Sequence, residues 1–209
     1  MRRHATRSPR SPHRTATERL LGWIVLGREV AWLLAPLVIV GVLVLGRRRS
    51  WPTSRRVASL ALGLYIVFLV SELLFPMPVD ARDLAQRATL GGVIRSAQWV
   101  PLHTLSRQLA AWTRFTRDQL FGNVAVFVPL GFLTPLAIPW LRPAKRAVLG
   151  AVLAGLGAEA LQASAILVVG AAYRFIDVDD ALLNAVGALI GFAASRMISG
   201  SLDGHADDR

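Results

Sequence analysis

One carboxyl side chain stands out because it lies inside a long apolar stretch. Glu159 is the only charged residue between positions 147 and 173. A charged Asp, Lys or Arg at the centre of a bilayer costs about 2.5–3.5 kcal/mol, so such residues usually face the interior of a helix bundle. Gly155, Glu159 and Gln162 are spaced i, i+4 and i+7, which places them on one helix face. Glu159 could accept a proton or bind a cation or headgroup, or it could hold two helices together.

A second polar cluster begins the last apolar segment, in the sequence YRFIDVDDALLNAVGALIG at 173–191. Its members are Arg174, Asp177, Asp179, Asp180 and Asn184. We expect Asp179 or Asp180 to cap the helix, because a carboxylate accepts hydrogen bonds from the free N–H groups at a helix N-terminus. Arg174 could pair with Glu159 or Asp177, or hold a phosphate. Three close carboxylates could bind Mg²⁺ or Ca²⁺, but the spacing matches no EF-hand loop, and we assign no metal site.

Small residues and proline predict how the helices around these groups pack. Asn123 enters an apolar segment with the sequence GNVAVFVPLGF, in which Pro129 removes a backbone hydrogen bond and Gly131 adds freedom. The unpaired backbone groups of an irregular helix in a membrane must form hydrogen bonds with protein or line a water-filled cavity. Further small residues at helical spacing favour close helix contacts. They are Gly155, Gly187 and Gly191.

The elements that carry these residues are predicted to be membrane helices. The 209 residues are 54% apolar and 18% charged, and the mean hydropathy is +0.47. Uncharged stretches near 20 residues long are typical of membrane spans. This composition excludes a secreted enzyme, a cytosolic enzyme and a disordered chain. We predict an all-α, polytopic helical membrane protein with five transmembrane helices. They cover 22–46, 57–76, 120–141, 147–170 and 180–199.

The segments outside these spans are predicted to be polar or amphipathic. We predict a basic disordered tail at 1–20, an N-terminal membrane helix within 21–50 and a polar C-terminal tail at 200–209. In the long loop 77–119, residues 104–119 have an apolar face and several arginines, which indicates an amphipathic helix. This helix could lie on the membrane surface or pack on the bundle.

The distribution of basic residues predicts the orientation. Five arginines lie in 47–56, and three basic residues lie in 142–146. Short basic loops favour the cytoplasm, which places loops 77–119 and 171–179 outside and the C-terminus inside. The six arginines of the tail would then lie outside, against the same rule.

The net charge of +11 is explained by basic residues that flank apolar segments and orient a membrane protein, without nucleic acid. The absence of cysteine and of an HExxH motif excludes thiol chemistry and a zincin-type protease.

Three motifs in order resemble the VanZ-like family: N-x-x-x-F-x-P-L-G-F, then E-x-x-Q, then R-x-x-D-x-D-D-x-x-x-N-x-x-G-x-x-x-G. Here they are Asn123, Phe127, Pro129, Leu130, Gly131 and Phe132, then Glu159 and Gln162, then Arg174, Asp177, Asp179, Asp180, Asn184, Gly187 and Gly191. The resemblance covers about 57–199, a VanZ-like membrane domain. It implies a multi-pass protein of the bacterial cytoplasmic membrane. The family's founding member is associated with low-level teicoplanin resistance through reduced glycopeptide action at the cell surface.

The resemblance implies a location and a phenotype class more than a reaction, so three functions stay open. The preferred one is a non-enzymatic envelope protein without a cofactor. It would bind a phospholipid or cell-wall-precursor headgroup at the outer face, with Arg174 on an anionic group and Asp179 and Asp180 on a cation or amine.

One alternative is a small intramembrane enzyme acting on a lipid-linked envelope substrate. Glu159 would be its general acid or base, and Asp177 and Asp180 would hold a metal. The sequence contains no G-x-S-x-G elbow, and we name no catalytic residue. The other alternative is a small transporter or flippase subunit, with Pro129 and Glu159 as gate and ion site.

Overall fold

The computed structural model describes residues 25–75, 77–78, 97–170 and 175–204. The predicted tail at 1–20 and Arg174 lie outside these ranges. Within them the chain forms six α-helices. They are α1 (Ala35–Arg48), α2 (Thr53–Leu74), α3 (His103–Ala110), α4 (Arg114–Ala137), α5 (Ala144–Val169) and α6 (Val178–Gly204). The last helix therefore continues into the segment that the sequence assigned to a polar tail.

Short elements connect or extend these helices. A 3-10 helix at Arg28–Leu34 leads directly into α1, and another at Pro139–Leu141 links α4 to α5. Strands β1 (Val25–Leu26) and β2 (Met77–Pro78) contain two residues each and pair antiparallel. This pairing fixes the start of the first apolar helix beside the end of α2.

Five helices of the described chain are long and apolar enough to cross a membrane. They are Arg28–Arg48, Thr53–Leu74, Arg114–Ala137, Ala144–Val169 and Val178–Ser199. Large apolar side chains on their outer faces are exposed, Leu37 and Val168 among them, as expected for surfaces that contact lipid. The predicted all-α class with five spans is confirmed.

The structure corrects the amphipathic helix predicted at 104–119. α3 ends at Ala110, and α4 begins at Arg114. Thr113 caps α4, since its Oγ1 accepts a hydrogen bond from the Thr116 backbone N–H at 3.2 Å. The Thr116 hydroxyl accepts in return from the Thr113 backbone N–H at 2.9 Å. This reciprocal cap starts a new helix, so a single element over 104–119 is wrong.

Glycines bring the membrane helices into close contact. A Cβ at Gly131 of α4 would overlap the carbonyl oxygen of Ala188 in α6, and one at Gly191 would overlap that of Val128. Gly187 meets the backbone of α4 in the same way, and Gly155 of α5 meets the backbone of α6. Such approaches are typical of helix packing in membranes, where small residues let backbones come together. The inner face of α6 is therefore enclosed by α4 and α5.

The five spans alternate in direction and leave two ends with different chemistry. We call the end with Glu72, the segment 97–113 and the start of α6 the polar end. The opposite end, with 47–56 and 138–146, is the basic end. There Arg55 Nε donates to the carbonyl of Ala137 and Arg142 Nε to that of Pro135, each at 3.2 Å.

Candidate functional site

A cavity of about 190 Å³ lies at the polar end between α2, α4, α5 and α6. We call it the polar cavity. Its polar lining consists of Glu72, Asn123, Glu159, Gln162, Asp180 and Asn184. Three carboxyl groups and three carboxamides from four membrane-spanning helices therefore surround one space. No Lys or Arg belongs to the described lining.

α4 and α6 supply Asn123, Asp180 and Asn184 of this lining. Asp180 and Asn184 are spaced i, i+4 on α6 and so share one helix face. Asn123 Nδ2 of α4 donates to Asp180 Oδ1 at 2.6 Å. The Asn184 side chain is 4% exposed. None of the hydrogen bonds among the described residues involves its amide.

α5 supplies Glu159 and Gln162, which also connect the neighbouring elements. Gln162 Nε2 donates to the carbonyl of Leu73 at 3.2 Å, which ties α5 to the end of α2. Glu159 Oε2 accepts from the backbone N–H of Asp177 at 3.1 Å, which ties α5 to the start of α6. Each side chain thus fixes the cavity wall with one polar atom, and the Oε1 atoms of Glu159 and Gln162 accept no hydrogen bond from a described residue.

Asp177 caps α6, so the expectation that Asp179 or Asp180 caps this helix is wrong. Asp177 Oδ1 accepts from the Asp179 backbone N–H at 2.9 Å. The N-cap residue precedes the first helical residue and commonly binds the N–H two positions later, which fits a helix that starts at Val178. Asp177 is buried and does not line the polar cavity.

Asp179 caps a different helix. Its carboxylate is 2% exposed and accepts from the backbone N–H groups of Leu102 and Leu105, at 2.5 and 3.0 Å. Leu102 has a left-handed backbone, with a φ of 65°, a conformation that costs a non-glycine residue energy. The carboxylate therefore holds α3 and a strained residue at the start of α6.

Backbone hydrogen bonds reinforce this attachment. The N–H of Gln98 donates to the carbonyl of Ile176 at 2.8 Å, and the N–H of Val178 donates to the carbonyl of Gln98 at 3.1 Å. Residues 97–110 thus lie along the start of α6, next to the polar cavity. Of the predicted cluster, Asp180 and Asn184 line the cavity. Asp177 caps α6, and Asp179 caps α3.

Glu72 is a cavity residue that the sequence analysis missed. It lines the polar cavity, and one of its oxygens lies 3.2 Å from Nη2 of Arg28. It is the only charged residue in 57–76. A lone carboxyl in an apolar segment, the pattern that indicates Glu159, therefore indicates Glu72 as well.

The other described residues that the sequence singled out, Pro129 and the four glycines, do not line the polar cavity. Pro129 lies inside α4, six residues after Asn123. Among the described residues, no group of three or more His, Asp or Glu side chains is placed to hold a metal ion. What the cavity offers a ligand is a set of hydrogen-bond acceptors and amide donors.

Comparison with known proteins gives one family. No curated protein and no solved structure matches the chain significantly. The family model for VanZ/LLP1 matches residues 62–199, which is well over half of the 209 residues. The matched range contains every residue that lines the polar cavity. The chain therefore belongs to the VanZ/LLP1 family.

Proposed function

We propose that this membrane protein binds the headgroup of an envelope lipid, or of a lipid-linked cell-wall precursor, in the polar cavity. The observation that carries the proposal is the convergence of six polar side chains from four membrane-spanning helices on one cavity. Polar groups at membrane depth are costly and usually mark a pathway or a binding site. A headgroup that enters from the surrounding leaflet would satisfy them while its acyl chains stay in the bilayer.

The basic end supports an outward-facing cavity in the bacterial cytoplasmic membrane. Its two short loops, 47–56 and 142–146, are rich in arginine, and such loops favour the cytoplasm. With this orientation the C-terminus is cytoplasmic and the polar cavity opens toward the outer leaflet. Cell-wall precursors that have crossed the membrane are present on that side.

The chemistry of the lining favours binding over catalysis by a hydroxyl, thiol or imidazole group. The described lining residues include no Ser, Thr, Cys or His, which are common nucleophiles or general bases in hydrolases. Both oxygens of Asp179 are engaged by backbone N–H groups. Asp180 lines the cavity one helical turn from Asn184, whose amide has no hydrogen bond with a described residue.

The family supports an extension to glycopeptides. Teicoplanin-type antibiotics act on wall precursors at the cell surface, and VanZ is associated with resistance to them. A protein that occupies such a precursor, or changes the lipids around it, would reduce the amount of antibiotic bound per cell.

A lipid-retention experiment tests the proposed headgroup site. The full chain is expressed in a Gram-positive host as wild type, Asp180→Asn and the control Asp118→Asn. Asp118 is exposed and pairs with Arg114 outside the cavity. Native mass spectrometry of the detergent-solubilised protein then measures the retained lipids. A hydrogen bond to a charged group is worth about 1.5–3 kcal/mol, so occupancy of one lipid should fall at least about tenfold in Asp180→Asn alone. Equal occupancy in all three proteins would contradict the proposal.

The same strains test the extension to glycopeptides. Labelled teicoplanin bound per cell is measured at matched membrane levels of the three proteins, in a host without its own relative. We expect lower binding with the wild type and the control, and recovery with Asp180→Asn. Binding that the wild type does not change would remove the extension and leave the headgroup site to the lipid measurement.

A further inference from the structure

We propose that the group held in the polar cavity is a primary ammonium. The inference rests on the proposed headgroup site and names the chemical class of its ligand. It depends on the charges around the cavity, on a side-chain amide that has no hydrogen bond with any described residue, and on the chemistry of the lining.

The charges around the cavity call for a cation. Arg28 pairs with the cavity residue Glu72, and its Nη2 lies 3.2 Å from Oε2 of Glu72. Among the described residues, Glu159 and Asp180 accept hydrogen bonds only from neutral groups, the Asp177 backbone N–H and the Asn123 amide. Buried carboxylates are normally paired with a cation or heavily hydrogen-bonded. Two carboxyl groups of the cavity therefore keep one oxygen each for a ligand.

Asn184 gives an independent indication of a ligand. Its side chain is 4% exposed and lines the polar cavity, yet it makes no hydrogen bond with any described residue. Nearly all buried side-chain amides in folded proteins have a partner. Asn184 lies on the same helix face as Asp180, one turn deeper, and its amide oxygen can accept a hydrogen bond from a ligand in the polar cavity.

The kind of cation follows from what the lining can bind. No group of three or more acidic or imidazole side chains in the described chain is placed to hold a metal ion. A quaternary ammonium is recognised mainly by aromatic faces, but the aromatic residue of the lining, Phe127, is only 2% exposed. A primary ammonium has three N–H donors and no acceptor. It matches the free acceptors of Glu159, Asp180 and Asn184.

Two pairs of probes test this assignment, and each pair differs only at the nitrogen. The first pair is dihexanoyl phosphatidylethanolamine and dihexanoyl phosphatidylcholine. The second is octanoyl-lysine amide and its Nε-acetylated form, which carry no phosphate. Binding to the detergent-solubilised full chain is measured by calorimetric titration. We expect the primary amine to bind at least about tenfold more tightly than its partner in one or both pairs.

The two pairs also distinguish the sources of the ammonium group. Selectivity in the phospholipid pair alone assigns a phospholipid headgroup, and selectivity in the lysine pair alone assigns a peptide amine such as a wall precursor carries. Either result supports the proposal. Asp180→Asn and Asn184→Leu should each remove the selectivity, and Asp118→Asn should keep it.

The failure of this inference is distinct from the failure of the proposed function. Equal binding of both members in each pair, weakened by Asp180→Asn, would overturn the primary ammonium and leave the headgroup site. Tighter binding of Mg²⁺ than of any amine would overturn it in favour of a metal. Binding of all four probes that no cavity variant changes would contradict the headgroup site itself.

Discussion

Two cavities of about 190 Å³ lie in the same helix bundle, one at each end. α2, α4, α5 and α6 contribute to both. The second, which we call the apolar cavity, is lined by Leu62, Ile66, Leu130, Gly131, Thr134, Pro135, Ile138, Leu141, Ala147, Gly150, Ala151, Ala188 and Phe192. The same helices thus enclose two cavities of equal volume, one lined mainly by apolar residues and the other by six polar side chains.

The two linings differ in how many polar groups lack a described partner, and this difference, more than volume, favours the polar cavity as the proposed site. The polar side chain of the apolar cavity, Thr134, donates to the carbonyl of Leu130 at 2.6 Å. That bond lies within its own helix and needs no ligand. In the polar cavity, Asn184 has no described partner, and Glu159 and Asp180 each use one oxygen. An empty apolar space costs only lost dispersion contacts, whereas unpaired buried polar groups cost considerably more.

Separating α4 from α6 should disrupt both cavities and give the largest effect. In Gly131→Val the new side chain would collide with the backbone of α6 at Ala188, which cannot move aside as a flexible side chain would. We expect a loss of stability above about 3 kcal/mol, measured as thermal unfolding and as the yield of monodisperse protein. Gly157→Val is the control, since a Cβ at Gly157 meets nothing within 4 Å. Equal stability of the two variants would contradict the close packing.

Removal of the Asp179 carboxylate should affect the polar end alone. Asp179→Ala leaves the backbone N–H groups of Leu102 and Leu105 without their acceptor, at a local cost of about 1.5–3 kcal/mol. Hydrogen exchange at 102–110 should become at least about tenfold faster, whereas the helices around the apolar cavity keep their protection. The control Thr113→Ala removes the cap of α4 instead. Unchanged exchange at 102–110 would show that the carboxylate does not hold α3.

Filling each cavity in turn sharpens the comparison. An added Cβ at Gly122, which lines the polar cavity, meets nothing within 4 Å, and one at Gly150, which lines the apolar cavity, has ordinary contacts with Leu141. Gly122→Leu should lower retention of the bound lipid about tenfold, because its side chain occupies the ligand's space. Gly150→Leu should leave retention unchanged in the same mass-spectrometric measurement. Loss of the lipid in Gly150→Leu alone would reverse the assignment of the site.

The smallest effect is expected at the one polar side chain of the apolar cavity. Thr134→Val replaces the hydroxyl with a group of the same shape and removes no partner from another helix. Loss of one hydrogen bond of this kind costs about 0.5–1.5 kcal/mol at most. The unfolding temperature should fall only slightly, and lipid retention should match the wild type. A clear loss of retention would show that the apolar cavity also takes part in binding.

The spans and most of the cavity could be predicted from sequence because both follow from local pattern. Uncharged runs of about 20 residues identify membrane helices, and a lone carboxyl such as Glu159 identifies a helix face that avoids lipid. Helix ends were less predictable. Ile138, with φ −120° and ψ 84°, leaves the helical region just before Pro139, so α4 stops earlier than its apolar run suggests.

The roles of the clustered aspartates could not be predicted from the cluster itself. Asp177, Asp179 and Asp180 are nearly adjacent in sequence, but they cap one helix, cap another and line the cavity. The role of Asp179 depends on Leu102 and Leu105, which lie more than 70 positions earlier in the chain. The spacing within the cluster does not predict this long-range contact. Glu72, in contrast, could be predicted from its own segment, because it is the only charged residue in 57–76.

The long-range cap has a consequence for the order in which the protein assembles during synthesis. Leu102 leaves the ribosome 77 residues before Asp179, an interval of about 4–15 s at 5–20 residues per second. During this time α3 lacks the carboxylate that caps it, and the last helix has not yet brought Asp180 and Asn184 to the other spans. The polar end with its cavity is therefore completed last, when translation reaches α6.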